Sequence, residues 1–209
     1  MRVAKEGLLF VLPFVVLAAA AISFGWIWVG GSLFVLALTL AFFFRDPIRH
    51  TPQDDNLIFS PADGTIIEIQ DLGENALSRY PAIRVSIFLS ILNVHITRAP
   101  IAGTVRSVTT TPGRFFSAYK ESASEKNAHV SVNIEGDGTD IFFKQISGSV
   151  ARRIKSYIKE KDELRAGQKT GLIFFGSRVD IFIPTTVDLK VSLGQRVRAG
   201  ETPIAERKS

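Results

Sequence analysis

The feature that most restricts what this chain can fold into lies at its N-terminus, where residues 7–44 carry no charged side chain. Continuous helix rises about 1.5 Å per residue, so the stretch would reach about 57 Å against a hydrocarbon core of about 30 Å. One straight span uses too little of it. Two short spans joined by a turn fit better, with breakers at Ser23-Phe24-Gly25 and Gly30-Gly31-Ser32. Trp26 and Trp28 lie between the breakers, and tryptophan favours the headgroup level. Arg2 and Lys5 precede the stretch and Arg45 and Arg49 follow it, which favours both ends being cytoplasmic. A secretory signal has a shorter apolar region, about 7–15 residues, and no clear small-x-small cleavage site stands before Arg45. A single tilted span plus an interfacial segment would use the same residues. The sequence therefore predicts a membrane-anchoring helical hairpin over residues 1–45 and a separate domain over residues 46–209.

From Pro47 onward, short β-prone runs alternate with Gly, Pro, Asn and Asp turns. Strands are expected over 64–70, 82–89, 103–109, 129–134, 141–146, 171–175, 178–183 and 188–191. Residues 118–126 are polar and read as a loop or a short helix. Residues 150–161 fit either a helix, through Val150, Ile154, Tyr157 and Ile158, or a bulged strand. Two internal echoes stand out. Leu164-Arg165-Ala166-Gly167-Gln168 nearly matches Val197-Arg198-Ala199-Gly200-Glu201, and Pro61-Ala62-Asp63-Gly64-Thr65-Ile66 loosely matches Pro100-Ile101-Ala102-Gly103-Thr104-Val105. Such turns between short strands resemble the barrel-sandwich hybrids of biotinyl and lipoyl domains. The expected fold class is mainly β (α+β), a compact antiparallel sheet of barrel-sandwich type behind the hairpin.

The absence of cysteine excludes disulfides, thiol nucleophiles and thiolate metal sites. A net charge of +5 suits work against anionic lipid, and no nucleic-acid-binding motif accompanies it. Gly176-Ser177 sits inside a strand-like run (Leu172 to Phe175, then Val179 to Ile183), where glycine usually marks a bulge or a close backbone approach. A serine presented at such a corner meets a neighbouring carbonyl, which suits a hydroxyl used on its own backbone. Asp63 lies in a tight Asp-Gly turn before a strand. His95 is the best-placed general base of three histidines; His50 is at the membrane exit and His129 begins a strand. Serine, histidine and aspartate could form an acyl-transfer apparatus, but the Gly-x-Ser-x-Gly elbow of ordinary serine hydrolases is absent.

Phe174-Phe175-Gly176-Ser177-Arg178-Val179-Asp180, Pro61-Ala62-Asp63-Gly64 and Asn93-Val94-His95-Ile96-Thr97-Arg98-Ala99-Pro100 resemble the phosphatidylserine decarboxylase family. The resemblance is to its short proenzyme form with an N-terminal membrane segment, and it covers nearly the whole soluble part. It implies a lyase matured by autocatalytic cleavage at Gly176-Ser177, giving a β chain of residues 1–176 and an α chain of residues 177–209 that stay associated. Ser177 would become a covalent pyruvoyl group, the cofactor, which forms a Schiff base with the substrate amine. His95 would move protons and Asp63 would orient or charge it, with no metal. Substrate and product would be phosphatidylserine and phosphatidylethanolamine at the cytoplasmic face of the cell membrane. Anionic lipid would be a partner, nucleic acid would not, and homo-oligomers stay open. Longer family members have a second histidine where this chain has Arg98, so self-cleavage and decarboxylation both remain open as roles for His95. Members often have Ser-Pro at Ser90-Ile91 and Asn-Glu-Arg at Asn127-Ala128-His129. Two other readings remain: a membrane-tethered β-barrel adaptor, and a conventional hydrolase using Ser177, His95 and Asp63.

Overall fold

The computed structural model describes residues 2–73, 82–114, 116, 123–148, 153–174 and 177–207. The chain divides into two compact units, Met1–Ile48 and Arg49–Ser209.

The first unit is an antiparallel helix pair, α1 (Lys5–Ser23) and α2 (Ile27–Phe43). The turn between them is Phe24-Gly25-Trp26, where Gly25 takes φ +84°, a conformation that costs glycine little. Gly30-Gly31-Ser32 does not break the chain and runs inside α2. The reason is helix contact: a Cβ on Gly30 would lie 2.4 Å from Ile22 Cγ1 and 2.9 Å from the Ala18 carbonyl oxygen. The far ends are tied by Ala4 N–H to the Phe44 carbonyl and Asp46 N–H to the Arg2 carbonyl, each 2.8 Å. Small residues (Gly7, Ala18, Ala21, Gly30, Ala37) are buried between the helices, while Leu9, Leu12, Val16, Trp28, Val35 and Leu38 face outward. That distribution inverts the soluble pattern and matches helices that pack through small residues within lipid. Among the described helices, α1 alone is long and apolar enough to cross a membrane, and α2 is a shorter apolar helix.

Among the described residues the second unit has fourteen strands and one short helix. In chain order these are β1 (Leu57–Phe59), β2 (Gly64–Asp71), β3 (Ala82–Leu89), β4 (Ile96–Arg98), β5 (Gly103–Thr111), α3 (Ala123–Lys126), β6 (His129–Gly136) and β7 (Thr139–Ile146). Then come β8 (Ile154–Ser156), β9 (Glu163–Leu164), β10 (Lys169–Ile173), β11 (Ser177–Pro184), β12 (Val187–Leu189), β13 (Arg196–Val197) and β14 (Pro203–Arg207). A curled antiparallel sheet runs β13-β2-β3-β11-β7-β6-β5-β9, with two three-stranded sheets, β1-β14-β12 and β4-β10-β8. Alternation decides the faces. Ile66, Val85, Ile87, Leu89, Val132, Ile134, Ile141, Phe143, Val179 and Ile181 close one core. The ambiguous stretch 150–161 contributes strand β8, paired with β10, and the polar stretch 118–126 ends in α3. Residues 150–152 and 118–122 lie outside the described residues.

Both sequence echoes are structural. Gly64 and Gly103 open β2 and β5, which pair with β13 and β9, the strands at the head of the two Arg-Ala-Gly turns. Gly167 and Gly200 take φ +76° and +70°, and their amides donate to Ala99 and Ser60 carbonyls at matching positions. The halves interlock reciprocally, Phe59 N–H to the Pro100 carbonyl and Arg98 N–H to the Pro61 carbonyl, both 2.9 Å. This is a pseudo-twofold arrangement of the barrel-sandwich kind.

Candidate functional site

Ser177 is the first residue of β11 and pairs with Leu89 at the end of β3. Along β11, residues 177, 179 and 181 alternate onto the core face, so the Ser177 side chain points inward and is 0% exposed. Its hydroxyl has no hydrogen-bond partner among the described residues. Leaving a buried hydroxyl unpaired costs about 1–3 kcal/mol, and such a group is normally satisfied unless chemistry needs it otherwise. Gly176, the other half of the predicted scissile bond, and the bulge expected there lie outside the described residues.

His95 is buried just before β4, and its carbonyl accepts the amide of Ile173, the last residue of the strand that leads toward Ser177. Its Nδ1 lies 3.0 Å from the Asn93 carbonyl oxygen. A carbonyl can only accept, so that contact assigns the proton to Nδ1 and leaves the lone pair of the neutral ring at Nε2. The carbonyl is held by a closed turn: Ser90 N–H and Oγ–H donate to Asn93 Oδ1 at 2.9 and 2.8 Å, and Asn93 N–H returns to the Ser90 carbonyl at 3.0 Å.

Asp63 is positioned from the opposite side. Gly64 follows it with no room for a side chain, since a Cβ would sit 2.3 Å from the Phe88 carbonyl oxygen. Glycine therefore lets the Asp63 turn approach the end of β3. Asp63 Oδ1 accepts the Ala199 amide at 2.8 Å, and Oδ2 accepts Arg49 at 2.6 Å. Arg49 also donates to Glu201 Oε2 at 2.9 Å. Burial pushes the Glu201 carboxyl up, but the His50 amide and the Arg49 guanidinium outweigh it and hold the group below its ordinary value. In the pseudo-twofold arrangement Asp63 and Glu201 stand where the other half has Ala102 and Gln168. The acidic groups occur where the repeat is broken.

A cavity of about 500 Å3 opens at this end, lined by Asp63, Thr65, Phe88, Ser90, Asn93 and Arg196 among others. Ser177 does not line it, but its strand partner Leu89 lies between Phe88 and Ser90, which do. Ser177, His95 and Asp63 each adjoin the end of β3, through Leu89, the Ser90–Asn93 turn and Gly64 respectively, and of the three only Asp63 lines the cavity. Among the described residues no cluster of His, Asp and Glu could hold a metal ion.

On the other face of β11 lies a buried ionic network absent from the sequence expectations. Arg178, 1% exposed, donates Nε–H to Asp180 Oδ1 at 2.6 Å, and its NH2 group donates to Glu68 Oε2 at 2.7 Å and Ser86 Oγ at 2.6 Å. Asp180 also accepts Ser124 Oγ–H at 2.6 Å, which ties α3 to the strand. Burial raises the Glu68 carboxyl, but Arg84 and Arg178 together lower it below its ordinary value. The available signal was an Arg-x-Asp pair on one face of an otherwise apolar strand. Asn127 is likewise an organiser, bonded to both N–H and carbonyl of Phe116 and to the Ser147 carbonyl.

Comparison with known proteins adds an independent observation. Residues 36–205 match the sequence profile of a family described as phosphatidylserine decarboxylase. A phosphatidylserine decarboxylase proenzyme of Novosphingobium aromaticivorans is 43% identical over 214 residues, 96% of this chain and 85% of that one. Proteins of the same description from Zymomonas mobilis (42% over 209 residues; 96% and 85%) and Syntrophus aciditrophicus (37% over 204 residues; 97% and 96%) are similar over comparable shares.

Proposed function

The chain belongs to the phosphatidylserine decarboxylase family, and from that premise we propose that it decarboxylates phosphatidylserine to phosphatidylethanolamine at a membrane surface, using a pyruvoyl group made from its own Ser177. The observation that carries the reading is the Ser177 hydroxyl, fully buried and without a hydrogen-bond partner among the described residues. A hydrolase nucleophile must be reached by substrate. A serine sealed in the interior of the uncleaved chain fits instead a group that reacts with the adjacent backbone.

In the maturation step Ser177 Oγ bonds to the Gly176 carbonyl carbon, the Gly176–Ser177 C–N bond breaks, and the freed nitrogen takes up the hydroxyl proton. Loss of the Ser177 Cα proton and the Cβ–O bond then releases Gly176 as a carboxylate, and water converts the remaining dehydroalanine to a keto group and ammonia. His95, with its lone pair at Nε2, is the group proposed to move these protons. Asp63, ion-paired to Arg49, supports it. The keto group supplies the electron sink that loss of a carboxylate requires.

The strand layout accounts for how the pieces stay together after cleavage. Residues 177–209 contribute β11 between β3 and β7, β13 beside β2, and β14 beside β1. The outward-facing apolar surface of α1 and α2 supports anchoring in a membrane, and Arg2, Lys5 and Arg45 at the helix-pair ends support a cytoplasmic catalytic unit. Purified protein in detergent–lipid micelles should release carbon dioxide from phosphatidylserine and lose that activity on reduction with borohydride. Ser177→Ala should give one full-length, inactive chain. A Ser177→Ala protein that still cleaves or turns over would refute the assignment.

A further inference from the structure

We propose that the cavity beside Asp63 takes the glycerophosphate diester of the phospholipid, gripped by Arg196 and Arg198, and that Ile91 and Leu92 form the part of its rim that enters the acyl layer. The assignment rests on the decarboxylase reading and adds the groups that recognise the lipid.

The charge in the cavity is unbalanced. Asp63, its lining carboxylate, already accepts Arg49 and the Ala199 amide. The Arg196 side chain is exposed and has no side-chain hydrogen bond or ion pair among the described residues. Arg198 is 4.0 Å from Glu201 Oε2, which Arg49 holds more closely at 2.9 Å. Arg196, and Arg198 beyond its long contact with Glu201, therefore present two exposed planar guanidinium groups to an anion, and their fork geometry suits two phosphate oxygens. Thr65, Ser90 and Asn93 add short polar side chains to the same wall, and about 500 Å3 is the volume of an ordinary small-molecule site.

The rim supplies the second half of a lipid's chemistry. Turn tips normally carry Gly, Asn, Asp, Ser or Pro, yet Ile91 and Leu92 stand at the tip of the Ser90–Asn93 turn, 60% and 67% exposed. The turn that carries them is closed by the Ser90 N–H and Oγ–H bonds to Asn93 Oδ1. Removing their surface from water by immersion in hydrocarbon is favourable in proportion to the apolar area buried. Leu92 also lines the cavity, so the apolar tip and the anion-binding wall are continuous. Because the same turn offers its Asn93 carbonyl to His95 Nδ1, lipid contact and the orientation of the catalytic ring share one loop.

The test uses cleaved full-length protein in mixed micelles of phosphatidylserine and non-ionic detergent. In Arg196→Gln/Arg198→Gln the KM for phosphatidylserine should rise roughly tenfold to hundredfold, as expected for lost charge-assisted hydrogen bonds, with kcat changed less than about threefold. Self-cleavage should remain complete, and the double lysine variant should recover part of the loss. Glycerophosphoserine should inhibit the wild type competitively and inorganic phosphate should not, which separates a lipid diester from a free phosphate. Ile91→Ser, at the rim residue that does not line the cavity, should raise KM for the micellar lipid while leaving glycerophosphoserine inhibition unchanged. An unchanged KM in the arginine variant, a loss confined to kcat, or equal inhibition by inorganic phosphate would each overturn the assignment. Calorimetric binding of glycerophosphoserine asks the same question without turnover. Absence of turnover by the wild type would therefore count against the decarboxylase reading, whereas equal binding by wild type and arginine variant would count against this one.

Discussion

Replacing Arg178 by methionine should be among the most damaging single substitutions away from the reacting bond. The side chain is 1% exposed and gives hydrogen bonds to Asp180, Glu68 and Ser86 at 2.6, 2.7 and 2.6 Å. Glu68 would keep Arg84 at 2.6 Å and is partly exposed, so it loses least. Asp180 is 0% exposed and would be left with only the Ser124 hydroxyl among its described partners. Breaking a buried ion pair by removing one member costs about 3–5 kcal/mol, because the other charge stays buried. For a domain of this size that is a fall in Tm of roughly 6–20 °C. Both tryptophans lie in the helix pair, so tryptophan fluorescence would miss the event; far-UV circular dichroism of the full chain in detergent reads it. Since Arg178 adjoins Ser177, self-cleavage should slow as well. Arg178→Met/Asp180→Leu should recover much of the lost stability, since no orphan carboxylate remains. A single variant whose Tm falls by less than about 2 °C, equivalent to under 1 kcal/mol, would refute the reasoning.

Gly64→Ala should cost about 1–3 kcal/mol or more, because the new Cβ would meet the Phe88 carbonyl at 2.3 Å; urea titration against wild type reads the loss, and an unchanged midpoint would mean that β2 and β3 are not so closely apposed. Acidification should destabilise the fold through Glu68 and Glu201, both held below their ordinary 4.5. A carboxyl whose folded value lies below its unfolded one contributes stability above the unfolded value, and that contribution disappears as pH falls through the folded value. Thermal melts between pH 7 and pH 3 should therefore show a decline beginning near pH 4.5, shallower in Glu68→Gln; a decline of the same size in that variant would exclude Glu68 as a source.

Much of the fold could be read from local chemistry. The uncharged run specified the helix pair, and alternation specified β6, because a half-buried strand must alternate, whereas β3 and β11 are buried on both faces and read as near-continuous β-prone runs. The Gly30-Gly31-Ser32 expectation went differently because glycine serves two ends. It weakens a helix in water, and it also lets two helices touch, as Gly30 does at Ala18 and Ile22. Arg49 illustrates a similar limit. As sequence it counts as one more positive charge after an apolar stretch; in the structure it bonds Asp63 and Glu201, residues 14 and 152 positions away. Pairings of that range leave no local pattern. The echoed turns did carry the barrel-sandwich topology, and comparing them residue by residue points to Asp63 and Glu201 as the departures. Arg178 and Asp180 were visible as an alternating charge pair, but their partners Glu68, Ser86 and Ser124 come from three other elements that only the sheet order unites.

The central claim is that Ser177 is a precursor consumed to make a catalytic group, not a nucleophile kept for substrate. Intact-mass analysis of the purified wild-type protein tests it most directly. The account predicts two chains, residues 1–176 and 177–209, the second beginning with a keto group that blocks amino-terminal sequencing. A single, catalytically active, uncleaved chain with an intact serine at position 177 would contradict it.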